Sequence, residues 1–299
     1  MSMIVSSIGQ GLLWAVLGVA LFLTFRILNF PDMTVEGSFP LGAATAVTLI
    51  SHNVSPILAT IIAFGVGALA GLATGLLYTK GKIPILLAGI LVMTASLSIN
   101  LRIMGSANIS LLGKDTLFSA HFLSTLPKYF DSVLVGFIII SVITALLVIF
   151  LQTEIGQAFI ATGDNPTMAQ SIGIRTDRMT IMGLMISNGL IAFGGAVIAQ
   201  NNGYADINMG IGIIVIALAS IIIGEVVFGE LTLTERLIAV VVGSILYRLV
   251  LLAVLRLGFS TNDLNLLSAI VLAIAMMLPQ ISKALKLDKV IKKGLASHD

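Results

Sequence analysis

The chain has 299 residues, of which 58% are apolar and only 10% charged, with a mean hydropathy of +1.10. So little charge cannot cover a water-facing surface, which excludes an ordinary soluble domain and points to a polytopic membrane protein. A net charge of +2 is too small and scattered for nucleic-acid binding, and the lack of cysteine excludes disulfides and thiolate chemistry.

An all-α membrane domain is predicted over 1–282, with a basic tail over 283–299. A span needs about 20 apolar residues. About nine such stretches fall near 6–28, 37–52, 56–79, 84–105, 132–152, 180–203, 209–229, 234–257 and 264–282. The first charge, Arg26, comes too late for the basic start of a cleavable signal peptide. Span 2 is short and carries Gly37, Pro40 and Gly42, so it is expected to be kinked or partly re-entrant, covered by protein and a pore candidate. In span 3, Gly67, Gly71 and Gly75 recur every fourth residue and form a ridge for close helix packing. Near the end of span 4, Asn100 and Arg102 fit either a polar vestibule shared with Asn108 or an arginine reaching for headgroups.

The segment 153–178 is the most polar stretch inside the membrane domain and reads as a folded unit. Asp164 or Asn165 can cap a short helix, Pro166 suits its first turn and Gly173 ends it. Small residues such as Ala169 would let a partner approach closely, while Met168 and Ile172 would supply apolar anchors. From these residues alone, a structural re-entry turn fits as well as a docking helix.

Further on, Asn201, Asn202, Asp206 and Asn208 surround a turn that either contacts a binding protein or is simply solvated. Glu225 and Glu230 at the end of span 7, like Asp32 and Glu36 before span 2, are assigned to the inner face as gate or docking charges. The tail alternates apolar residues such as Leu285, Leu287 and Val290 with lysines, as a basic amphipathic stretch on the inner leaflet would.

Lysine and arginine in short loops set orientation. Placing Lys80, Lys82, Arg175, Arg178 and the tail lysines inside puts the N-terminus and the 106–131 loop outside and the C-terminus in the cytoplasm. An internal repeat is expected, because Asp32-Met-Thr-Val and Asp206-Ile-Asn-Met each follow a long span and open a glycine-rich one. Spans 1–4 then match spans 6–9, and span 5 inverts the second copy, a plan typical of transporters.

The 153–178 segment resembles the coupling segment of ATP-binding-cassette importer permeases of the branched-chain amino acid and ribose type. The pattern Gly-x-Asn-x-x-x-Ala-x-x-x-Gly-Ile runs here through Gly163, Asn165, Ala169, Gly173 and Ile174, with Asp164, Pro166, Met168, Ile172 and Arg175 between and beside them. Asn29-Phe-Pro-Asp-Met-Thr-Val-Glu-Gly-Ser-Phe-Pro and Gly203-Tyr-Ala-Asp-Ile-Asn-Met-Gly are similar to the family's openings of span 2 and its second-half counterpart. With Leu97-Ser-Ile-Asn-Leu-Arg, they resemble a subgroup paired with lipoprotein binding proteins and including aromatic amino acid importers.

The resemblance implies a type II importer fold, a homodimer in the bacterial plasma membrane, two separate ATPase subunits docking on 163–175, and an external binding lipoprotein. Asp32, Glu36, Gly37, Pro40, Asn100, Arg102, Asn108, Asn201, Asn202, Asp206, Asn208 and Glu225 become pathway or gate candidates. The sequence holds no Gly-x-x-x-x-Gly-Lys-Ser/Thr motif, so ATP and magnesium are expected on the partner ATPase and no cofactor or metal on this chain. No catalytic set assembles in one aqueous region, and enzyme chemistry is not expected. The rival within transport is an ion-coupled carrier, which lacks an obvious midplane carboxylate; a membrane scaffold would explain neither the repeat nor the glycine-broken span.

Overall fold

A computed structural model describes residues 2–119, 127, 129–229, 231–256, 258 and 263–284. The tail residues 285–299, Glu230 and Lys128, on which parts of the sequence reading rest, lie outside the described residues.

Helices stand at all nine predicted positions. They are α1 (Ser2–Phe22), continued by a π-helical turn (Leu23–Ile27), α2 (Val35–Ser51), α3 (Pro56–Thr79), α4 (Ile85–Met104) and α5 (Phe130–Gln152). The second half holds α8 (Thr176–Asn202), α9 (Ile213–Phe228), α10 (Leu233–Arg256) and α11 (Leu264–Ala284). Between the halves lie two short helices, α6 (Glu154–Asp164) and α7 (Pro166–Ser171); α6 was not separately expected. Six helices, Met3–Ile27, Pro56–Thr79, Ile85–Met104, Phe130–Gln152, Thr176–Asn202 and Leu233–Arg256, are long and apolar enough to cross a membrane. The chain is therefore a multi-pass all-α membrane protein.

The core is built around α1 and α8, whose apolar side chains are buried along most of their length. Helix α3 packs on α8, and α10 packs on α1. Glycines set the first of these contacts: a Cβ on Gly67, Gly71 or Gly75 would stand 2.4, 2.2 or 3.0 Å from Asn188 O, Leu184 O or Ile181 Cγ1, respectively. The predicted ridge is thus the seat of α8. On the other pair, Ser244 Oγ of α10 donates to Gly11 O of α1 at 2.8 Å.

Helices α2 and α9 are shorter and begin side by side inside the bundle. Glu36, in the first turn of α2, accepts a hydrogen bond from the backbone of Gly212, the residue that opens α9, at 3.1 Å. The expectation of a covered, irregular span 2 has a local cause. Pro40 has no N–H, so Glu36 O loses its helical donor, and Gly210 approaches that carbonyl so closely that a Cβ would lie 2.1 Å from it. Thirteen residues of α2, Gly37, Pro40 and Gly42 among them, are buried, as a helix apolar on all sides requires.

Opposite ends of the bundle carry different structures. At the end where α8 finishes, β1 (Asn108–Ser110) and β2 (Tyr204–Asp206) pair antiparallel, with Asn108 opposite Asp206. At the end where α8 begins lie α6, α7 and the π-helical turn.

Candidate functional site

The segment between the halves is anchored at two glycine and alanine positions. Gly163 is buried so tightly against the turn after α1 that a Cβ would lie 1.6 Å from Ile27 O, and Asn29 Nδ2 donates to Gly163 O at 3.1 Å. Asn165, not Asp164, caps α7: its Oδ1 accepts from Met168 N at 3.0 Å, and Pro166 takes the first helical position. Gly173 ends the helix at φ 91°, in the left-handed region. Asp164 and Arg175 are exposed and Ile174 is half-buried.

Ala169 is 0% exposed. It therefore fixes α7 to its own chain, and the expectation that its small side chain receives a partner is corrected. A small side chain serves equally under its own chain or under a partner, so its size did not decide which. Met168 and Ile172, by contrast, are 55% and 64% exposed and form the free apolar face of α7. Beside it, Lys80, Gln170, Arg175, Asp177 and Arg178 line a polar hollow of about 410 Å³, where Gln170 Nε2 donates to Thr176 Oγ1 at 2.8 Å.

Asp32, assigned to an inner-face gate, does not face solvent, whereas Glu36 in the first turn of α2 is half-buried. Asp32 is 2% exposed and lies against the middle of α8. Its Oδ1 accepts from Thr34 N at 2.9 Å and its Oδ2 from Asn188 Nδ2 at 2.7 Å; Ser38 Oγ donates to Asn188 Oδ1 at 2.6 Å. Thr34 Oγ1 bonds Thr74 Oγ1 at 2.7 Å and so extends the network to α3. In the link before α2, Asn29 and Pro31 are exposed beside the α6–α7 end, while the buried Asp32 has both carboxylate oxygens satisfied within the protein. A buried carboxylate is thus present, where the sequence reading found none. Asn188, Ser38 and Thr74 were missed because each is an uncharged polar residue within a predicted apolar span.

Glu225, near the end of α9, forms an ion pair with Arg26 of the π-helical turn. At the strand end, Asn108 Nδ2 and Asp206 Oδ2 are 3.4 Å apart, and Ser132 Oγ donates to Asn201 Oδ1 at 2.9 Å; Asn202 and Asn208 are exposed. The local turns at the two proposed repeat starts are alike: Asp32 Oδ1 accepts from Thr34 N, and Asp206 Oδ1 from Asn208 N at 2.8 Å. Asn100 is 0% exposed, with neither amide atom partnered, so it is enclosed and does not line an open vestibule. Arg102, two residues on, is exposed at the helix end. The structure does not gather these candidates into one site.

One membrane-embedded charge escaped the sequence reading. Arg248 of α10 lies with its guanidinium carbon 4.2 Å from the ring centroid of Trp14 in α1, and Trp14 stacks on Phe39 of α2 at 5.8 Å. The available signal was a charge in the interior of the predicted span 234–257, far from Glu235, Arg236 and Arg256 at its ends.

With this architecture in place, the chain can be set beside known proteins. Residues 3–278 match the model of the family described as branched-chain amino acid transport system, permease component. The chain belongs to that family. It is 40% identical over 272 residues to a tyrosine transport system permease protein of Clostridioides difficile, covering 91% of this chain and 90% of that one. It is 33% identical to an uncharacterized protein of Rickettsia prowazekii, covering 92% and 97%. An autoinducer 2 import system permease of Yersinia enterocolitica is 29% identical, covering 88% of this chain and 70% of its own. No solved structure matches the chain. The protein is thus a membrane permease component of an ATP-binding-cassette-type transport system, as its coupling-segment resemblance implied.

Proposed function

We propose that this permease imports an aromatic amino acid, delivered by an external binding lipoprotein and driven by two ATPase subunits docked on α7. The observation that carries the docking assignment is the division of labour on one short helix: Ala169 is sealed against the chain while Met168 and Ile172 project from it. Two exposed apolar side chains on a capped, rigid turn are what a groove in a partner can grip. The aromatic solute is taken from the likeness to the tyrosine permease.

In this reading α7 faces the cytoplasm and the β1–β2 end faces outward, with the N-terminus outside. Nine helices cross or enter the bilayer as two inverted halves, α1–α4 and α8–α11. The paired packing of α3 on α8 and α10 on α1, and the meeting of α2 and α9 at their starts, support that symmetry. Two copies form the working permease. ATP-driven closure of the ATPases pushes α7, and α6 passes the movement through Gly163 to the turn after α1, where the Arg26–Glu225 pair ties α1 to α9.

The buried Asp32 favours a second reading, an ion-coupled carrier. Its two oxygens are already held by Thr34 and Asn188, which suits a structural tie better than a site that must bind and release an ion. The docking assignment is tested by co-expressing the permease with a tagged ATPase from the same cell. Wild type is expected to retain the ATPase, and Met168→Asp with Ile172→Asp to lose it while still inserting; retention by the double variant would refute docking on α7.

A further inference from the structure

Arg248 Nε and one of its terminal nitrogens are buried and have no hydrogen-bond partner. Eight residues separate Arg248 from Arg256 at the end of α10, which at 1.5 Å per residue sets it about 12 Å in from the strand end of the bundle. A guanidinium at such depth is normally paired with a carboxylate or with carbonyls. Here the face of Trp14 supplies only part of that compensation, since cation–π attraction acts through the plane of the guanidinium and leaves the N–H groups in its rim unsatisfied. Gln10 Oε1 accepts from Trp14 Nε1 at 3.3 Å and Tyr247 donates to Ser268 at 2.8 Å, and neither side chain hydrogen-bonds to these two Arg248 nitrogens.

We infer that Arg248 receives the carboxylate of the transported solute. The inference rests on the importer reading and names the side chain that recognises the acid group within the membrane. A planar guanidinium presents parallel N–H groups that match a carboxylate two-to-two, and a low-dielectric surround strengthens such a pair. Trp14 holds the guanidinium plane, and Phe39 backs Trp14 from α2, the helix that begins beside the start of α9. The site therefore joins α1, α2 and α10, and a bound acid would bridge elements from both halves of the chain.

Trp14 is the one tryptophan of the sequence, so its emission reports this site alone. The full-length permease is reconstituted in phosphatidylcholine vesicles, and Trp14 emission is followed as L-phenylalanine is added to millimolar concentration. In parallel runs, 3-phenylpropionate keeps the carboxylate without the amine and 2-phenylethylamine the reverse. The two acids are expected to shift the emission saturably, and 2-phenylethylamine to leave it unchanged. Arg248→Lys, which keeps the charge but not the planar fork, should weaken the response by about tenfold or more, and Arg248→Met should abolish it. Equal responses to acid and amine, no saturable response to either acid, or an unchanged response in Arg248→Met would overturn the assignment. So would a shift on adding phosphatidylglycerol that blocks the response in wild type, because a lipid phosphate would then be the partner. Capture of the ATPase separates the two readings: Arg248→Met should still retain it, whereas its loss from wild type would break the importer reading whatever Trp14 does.

Discussion

Two buried polar sites in this bundle are built in opposite ways. Around Asp32, Asn188, Ser38, Thr34 and Thr74, hydrogen bonds of 2.6–2.9 Å tie α2, α3 and α8 together. Around Arg248, two guanidinium nitrogens find no acceptor among the described residues. A satisfied network in a low dielectric defines one arrangement of its helices, whereas an unsatisfied cation costs stability and waits for a partner. The first site therefore belongs to the scaffold and the second to the cargo.

Substitutions can break this contrast. The largest loss is expected for Asn188→Leu, which removes the donor to Asp32 and the acceptor for Ser38 at similar volume. Leaving those groups buried should cost about 3–5 kcal/mol, read as a marked fall in the detergent melting temperature. Next comes Gly71→Ala, whose Cβ would meet the Leu184 carbonyl at 2.2 Å and push α3 from α8. A loss of about 1–3 kcal/mol is expected by the same melt. Removing the cap of α7 with Asn165→Ala should cost about 1 kcal/mol, confined to the 153–178 segment and seen as faster amide exchange there. Arg248→Met should leave the melt unchanged or raise it, since an uncompensated charge is removed, while uptake is lost. A large fall in melting temperature for Arg248→Met would make Arg248 scaffold and erase the contrast.

Much of this was legible because the controlling chemistry is local. Asn165, Pro166 and Gly173 bound a helix through their own backbone preferences, and Gly67, Gly71 and Gly75 mark a close contact by their spacing. The misreadings concern burial that only the fold decides. Asp32 was assigned to the inner face as a gate or docking charge, yet its side chain is buried and Asn188 meets it from the far half. Ala169 was taken as open to a partner although it is the side chain that seats α7. Arg248 was hidden by averaging, since the hydropathy of its window stays high despite one full charge.

The central claim, import driven by ATP through α7, is tested most directly by uptake of labelled L-tyrosine into vesicles carrying permease, ATPase and binding lipoprotein. Uptake that requires ATP, survives collapse of proton and sodium gradients, and disappears with Met168→Asp and Ile172→Asp is the predicted result. Uptake by the permease alone, driven by an ion gradient and indifferent to those substitutions, would contradict it.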